Sequence, residues 1–303
     1  LLSKLLVCGV GCYIGNNFTG ALSYADDIAL LAPTIAADRI MLNVCEQFAG
    51  DFSVKFNAAK SVLLIAGQRG RSGLRELYLN GSPIECRDQA VHLGTVIGSK
   101  CISANIKKAA SDLYCSTNVL MSNFGHCSVN VLHRLFISFC TSFYGSPLWN
   151  LKAIAHLELA WRKCIKRVWK LNMRTRSVYV ALLPKLDLYA MLIMRFFNFY
   201  SHCVYSPNSV VRFCSSIFLS GTTFVDNLNV CRGLAPDHNG NLADDPDVIR
   251  KVINNYVLTV STPEVIAEAQ VLKELCYIRD GIYEMNGLSR ADIDNYFFLF
   301  TLI

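Results

Sequence analysis

The chain has 303 residues, 52% of them apolar and 17% charged, with a net charge of +6. A length of this order favours two domains or one large one, and the apolar content excludes an intrinsically disordered chain. The 13 cysteines are odd in number and include no Cys-x-x-Cys pair, so reduced thiols of an intracellular protein are expected rather than a disulfide framework or a zinc ribbon.

The chain begins Leu1-Leu2-Ser3-Lys4, without Met and almost directly on an apolar strand pattern, and a preceding N-terminal part is therefore expected. Residues 7–17 read as a short strand ending in an Asn-rich turn. Phe18–Pro33 then places two β-friendly apolar runs on either side of Asp26 and Asp27, which predicts a hairpin with the two acids at its tip. A buried sheet behind them would make charge costly unless paired or bound to metal, and hard carboxylate oxygens suit Mg²⁺. An Asp-Asp pair is also ordinary turn chemistry, and on these residues alone both readings stand.

Pro33-Thr34 marks the start of a helix whose apolar face is expected to be Ile40, Met41, Val44, Cys45 and Phe48, ending at Gly50. Phe52, Val54 and Phe56 alternate as a half-buried strand; Asn57–Ser61 is a turn and Val62–Ala66 another strand. Asn80-Gly81 predicts a hairpin within Leu77–Cys86. Ala90–Gly98 adds one more strand, with Gly94 admitting close approach of another backbone.

From about residue 103 the pattern is helical, over 103–124, 128–145, 153–172 and 186–204. Residues 100–195 hold 14 Lys and Arg against 3 Asp and Glu, while 222–303 hold 6 against 12. Such segregation suggests a polyanion-binding middle segment. Within it, Arg162, Lys163, Lys166, Arg167 and Lys170 fall opposite an apolar stripe of Trp161, Cys164, Ile165, Val168 and Trp169. A charged helix face is most often only solvated, but no acid interleaves from 159 to 186, and a phosphate backbone is a fitting counter-charge.

Residues 205–247, rich in Ser, Asn, Gly and Asp, read as irregular structure or a linker, and 246–285 return to helix. The loosely spaced Cys203, Cys214, Cys231, His202 and His238 are not expected to bind zinc. No apolar run is a comfortable bilayer span, and neither an internal repeat nor a Gly-rich phosphate loop is present.

Tyr24-Ala25-Asp26-Asp27-Ile-Ala-Leu-Leu-Ala-Pro resembles the catalytic palm motif of reverse transcriptases, and most closely that of the LINE-type (non-LTR, jockey-like) retrotransposon enzymes. In order after it, Phe56-Asn57-Ala-Ala-Lys60-Ser61 resembles the family's next palm motif, and His92-Leu93-Gly94-Thr-Val-Ile its primer-grip strand. Phe143-Tyr144-Gly145-Ser-Pro-Leu-Trp149 and Ala160-Trp161-Arg162-Lys163 resemble the helical thumb and the region after it. The similarity covers roughly residues 10–200.

The resemblance implies an α+β chain in three parts. These are a partial, ferredoxin-like palm sheet with primer grip over 1–100, a helical thumb over 101–204, and a linker with an acidic helical region over 205–303. It implies RNA-directed DNA polymerase chemistry at a two-Mg²⁺ site. Asp26 would be the main ligand, Asp27 its partner, and Lys60 would stand near the triphosphate of the incoming dNTP. Tyr24 and Ala25 would lie by the nucleotide and primer end. His92, Leu93 and Gly94 would press on the DNA primer, and the basic helices would follow the RNA–DNA duplex of template and primer. The family's further metal-ligand Asp and its fingers would precede Leu1, so this stretch alone is expected to be inactive. The alternative expectation is a non-catalytic nucleic-acid-binding remnant. Either would work in the nucleus and cytoplasm, with no membrane partner.

Overall fold

The computed structural model describes residues 1–65, 76–98, 101–183, 187–216, 222–234, 251–253, 255–256 and 261–280. The chain is α+β and divides into two compact units, Leu1–Cys101 with Cys203–Ile217, and Ile102–His202 with Phe218–Ile303.

In the first unit the N-terminal residues form a helix, α1 (Leu2–Val7), rather than the expected immediate strand. Leu5 is its fully buried residue, which gives the short helix one apolar anchor. Two hairpins follow, β1 (Tyr13–Ile14) with β2 (Asn17–Phe18), and β3 (Ala21–Tyr24) with β4 (Asp27–Leu30). Backbone bonds from Cys12 N to Leu31 O (2.8 Å) and from Leu31 N to Gly20 O (2.7 Å) knit them together.

Helix α2 (Ile35–Asp51) begins where predicted, because the Thr34 hydroxyl accepts the Ala37 N–H at 3.1 Å as an N-cap. Its buried face differs from the predicted one. Met41 and Cys45 pack with Leu5 on one side, Leu42 packs with Leu77 and Leu79 on another, and Ile40 is exposed. The helix serves two small cores, so its stripe is wider than one face.

Phe52–Phe56 is not a strand. Ser53 takes φ +55°, Val54 N bonds Ala49 O at 3.0 Å, and the Phe52 ring stacks back on Phe48 at 4.4 Å. That left-handed turn caps α2 and leaves Phe52 and Val54 exposed.

β5 (Val62–Leu64) pairs in parallel with β8 (Glu85–Arg87), and β6 (Tyr78–Leu79) with β7 (Ser82–Pro83). Asn80 and Gly81, at φ +52° and +74°, make the predicted two-residue turn. The expected single strand over 90–98 is instead a hairpin, β9 (Gln89–His92) with β10 (Thr95–Gly98), turning at Leu93-Gly94 (φ +47° and +75°). Among the described residues the strands pair two by two.

The second unit is helical. It contains α3 (from Ile102 within Cys101–Phe124), α4 (Val129–Leu135), α5 (Ala155–Val168), α6 (Tyr179–Leu182) and most of α7 (Leu188–Val204). α4 runs into a π-helical turn, Phe136–Cys140. α8 (Ser209–Ser216) belongs to the first unit, and α9 (Thr223–Leu234) and α10 (Pro263–Arg279) to the second. α8 and α9 replace much of the irregular stretch expected over 205–247; residues 235–247 lie outside the described residues.

One core joins α3, α4, α5, α7 and α10 around Phe136, Trp161, Trp169 and Phe196. Each such fully buried side chain stabilises by roughly 1.5–3 kcal/mol. α10 is bound to the end of α5 as well: Arg279 donates to Trp169 O (3.0 Å) and Lys170 O (2.8 Å), and Asp280 accepts the Val129 N–H that opens α4 (2.6 Å).

Candidate functional site

The acidic hairpin forms as its sequence predicts. Tyr24 and Asp27 are the closing pair of the ladder, and Ala25 (φ +53°) and Asp26 make the two-residue turn. A positive φ at a residue with a Cβ is uncommon, so the turn is held by the ladder on both sides. Asp26 and Asp27 are exposed, as are Leu22 and Tyr24. Among the described residues no buried sheet stands behind them to make these charges costly: the hairpin is a two-stranded ribbon with one open face. Neither carboxylate makes a hydrogen bond or ion pair with another described residue. Exposed, unpaired carboxylates are a donor set Mg²⁺ accepts together with phosphate oxygens and water. Among the described residues no group of three or more His, Cys, Asp or Glu converges, so the pair fits part of one ion's shell and not a complete two-ion cage.

Lys60 sits at the end of the Asn57 turn, where its N–H donates to the Asn57 side-chain oxygen at 3.2 Å and its side chain is exposed. Phe56, Ala58 and Leu63 of this stretch share a cluster with Leu30 of β4, so the Lys60 turn and the acidic hairpin are built on one small core. His92 is half-buried at the end of β9 opposite Thr95, with Leu93 and Gly94 in the turn beyond it. Among the described residues no bond joins the side chains of Asp26, Asp27, Lys60 or His92 to one another.

In the second unit, Arg162, Lys163 and Arg167 of α5 are exposed, whereas Trp161, Cys164, Ile165 and Val168 are buried. Lys166 departs from the expected cationic face. It is 7% exposed and its Nζ donates to Met173 O at 3.0 Å. Burial, then the neighbouring Arg162 charge, lowers its pKa from the usual lysine value. It therefore closes the chain reversal after α5 and is unavailable to a phosphate. Lys170 is also engaged, donating to Cys127 O at 2.9 Å and lying 3.8 Å from Asp280. Arg162 pairs with Glu158 at 3.2 Å, an exposed i,i+4 pair of small energy.

That leaves Lys163 without an acid or acceptor among the described residues, and Arg167 bonded only to the neutral Asn118 amide. Both line a groove of about 590 Å³ with Asn118 and Tyr114 of α3. Tyr114 and Asn118, one helical turn apart on a helix the sequence predicts, were missed as site residues. Their i,i+4 spacing was the available signal.

The motif residues Phe143, Trp149 and Trp161 pack together, with ring centroids 6.1 and 6.3 Å from Phe143. Arg195 lies over the Phe143 ring at 5.5 Å and donates to Thr141 O and Ser142 O. This motif is a packing corner at the end of the π-helical turn. The buried thiols Cys164 and Cys231 are pushed up to about 11 and about 12 by burial and are unreactive at neutral pH.

No helix among the described residues is long and apolar enough to cross a membrane. No protein-family model matches the chain, and no curated protein matches it in sequence.

Proposed function

We propose that the chain carries the metal-binding hairpin of a reverse-transcriptase palm of the non-LTR retrotransposon type, followed by a helical thumb that holds an RNA–DNA duplex. The observation that carries this reading is the Tyr24–Asp27 turn. A motif resembling the polymerase tetrapeptide closes a tight hairpin with both carboxylates exposed and unpaired. The turns at Lys60 and at Leu93-Gly94 lie in the same compact unit, in the order the resemblance requires.

On this reading Asp26 and Asp27 would hold Mg²⁺, which when bound supplies charge neutralisation at the phosphates of a dNTP. Lys60, whose exposed ammonium has no partner among the described residues, adds a cation for the triphosphate. His92, Leu93 and Gly94 present a protruding turn to the primer strand. Arg162, Lys163 and Arg167 face the duplex backbone, while Lys166 serves the fold. Polymerisation requires at least one further metal ligand beside Asp26 and Asp27, so extension of a primer is not expected from this hairpin by itself.

A second reading, duplex binding without catalysis, is favoured by the uncompensated Lys163 and Arg167. Both readings predict binding of an RNA–DNA heteroduplex that weakens with salt. With three exposed cations engaged, the slope of log K against log salt is about −3. Replacing Arg162, Lys163 and Arg167 together by Ala flattens that slope in an anisotropy titration. Binding that is absent, or indifferent to salt, overturns both readings.

A further inference from the structure

The groove between α3 and the end of α5 differs from a merely charged surface. Its volume of about 590 Å³ falls in the range of roughly 300–1,000 Å³ typical of small-molecule sites. Its lining is largely apolar, with the buried Leu171, the exposed Met173 and the half-buried Tyr114 among the lining residues. Burial raises the Tyr114 phenol above its usual range, so this lining ring is neutral. At the rim stand Lys163, which has no acid or acceptor, and Arg167, whose guanidinium is held by the Asn118 side-chain oxygen. No carboxylate among the described residues lines the groove.

An occupant must therefore bring negative charge to the rim and a flat apolar body to the lining. Inorganic phosphate meets the first demand only, and an apolar ligand the second only. A regular duplex brings phosphates but keeps its base faces stacked within the helix.

We propose that this groove binds a nucleoside phosphate, with the phosphate on Lys163 and Arg167 and the base against Tyr114, Leu171 and Met173. A free nucleotide and an unpaired nucleotide of a strand share this chemistry. The site deepens the nucleic-acid reading of α5 and rests on it, while owing nothing to Asp26 and Asp27. Aromatic faces accept any base, so selectivity for base identity is expected to be weak. The Asn118 amide, by fixing Arg167, reduces the side-chain entropy lost when a phosphate binds.

The test is calorimetric titration of the full chain with AMP, adenosine and inorganic phosphate at low salt. AMP is expected to bind more tightly than either of the others by at least about fivefold, the lower end of what base stacking on an aromatic side chain contributes. Tyr114→Leu brings AMP down to the level of phosphate, and Lys163→Ala with Arg167→Ala brings it down to the level of adenosine. A thermal melt of each variant verifies that it folds, and the three-ligand comparison on the unaltered protein decides the matter even where a variant does not. AMP binding no tighter than phosphate overturns the proposal, as does AMP affinity unchanged in a folded Tyr114→Leu protein. Displacement of AMP by a five-nucleotide single strand assigns the site to unpaired strand nucleotides, and failure to displace assigns it to free nucleotides. Heteroduplex binding without the AMP preference removes the pocket and leaves the duplex reading. The AMP preference without heteroduplex binding does the reverse.

Discussion

His133 lies against Trp169 in the helical core, with ring centroids 5.9 Å apart, and its Nδ1 is buried without a hydrogen-bond partner among the described residues. Burial, and then the nearby Lys273 charge, lowers its pKa from 6.5. A histidine depressed in the folded state is protonated first in the unfolded chain. Its contribution to stability is therefore complete above about pH 6.5 and is lost as pH falls through the folded value. The melting temperature should fall between pH 7.5 and 5.5, and His133→Phe should flatten that segment of the profile. Equal slopes in the two proteins would contradict this account. Lys166 shows the same cost handled differently: its ammonium is buried beside Met173 O, so one hydrogen bond offsets part of the desolvation.

At the scale of elements, the two-residue hairpin turns differ in how well their residues suit them. Asn80-Gly81 has the residues a doubly left-handed turn prefers, whereas Leu93-Gly94 puts Leu at φ +47°. A non-glycine residue held there stores strain of about 1 kcal/mol or more, and Asn tolerates the conformation better. Leu93→Asn should raise stability by about 1 kcal/mol in urea unfolding with an unchanged denaturant dependence. A lower or equal midpoint would show that the Leu93 side chain contributes more by packing than it loses by strain. The same contrast explains what the sequence made legible. Asn80-Gly81, the Thr34 cap and the long periodic helices α2, α3, α5 and α7 follow from local chemistry, which acts on neighbouring residues and leaves a pattern. The 90–98 hairpin was hidden because Leu seldom adopts the turn conformation. The end of α2 was legible to within a residue, but the turn that replaces the expected strand over 52–56 was hidden because Ser53 does what Gly usually does. α8 and α9 do carry apolar residues in helical period, among them Phe224, Leu228 and Cys231 of α9, but the Ser, Asn and Gly around them masked the pattern. Lys166 was hidden because i,i+3 and i,i+4 spacing sets it with Arg162, Lys163 and Lys170, and it is the chain reversal after α5, at Met173, that engages it.

Across the whole molecule, the segregation of charge resolves into two roles. Part of the basic excess in 100–195 is consumed internally: Lys170 meets Asp280, Arg195 holds the backbone at 141–143, and Lys166 closes the reversal after α5. The acidic C-terminal helix is correspondingly part of the helical core, since Ala269, Leu272 and Cys276 are buried in it and Arg279 closes the end of α5. Among the described residues, exposed cations without an acid partner remain in the helical unit, Lys163 and Arg167 together with Lys107, Lys108, Arg134 and Arg174, while Asp26 and Asp27 remain exposed and unpaired in the other unit.

The central claim is that the Asp26-Asp27 turn is a divalent-metal site serving a nucleotide. The most direct measurement is the loss of the free Mn²⁺ signal in electron paramagnetic resonance when the chain is titrated with the ion, with a dNTP and an RNA–DNA heteroduplex present, in excess of the loss that the dNTP and heteroduplex cause without the chain. The unaltered chain is expected to take up Mn²⁺ beyond that bound by the dNTP and heteroduplex alone, Asp26→Ala with Asp27→Ala to abolish this extra uptake, and heteroduplex affinity in the doubly altered chain to be retained. Uptake of Mn²⁺ that is unchanged in the doubly altered chain would contradict it.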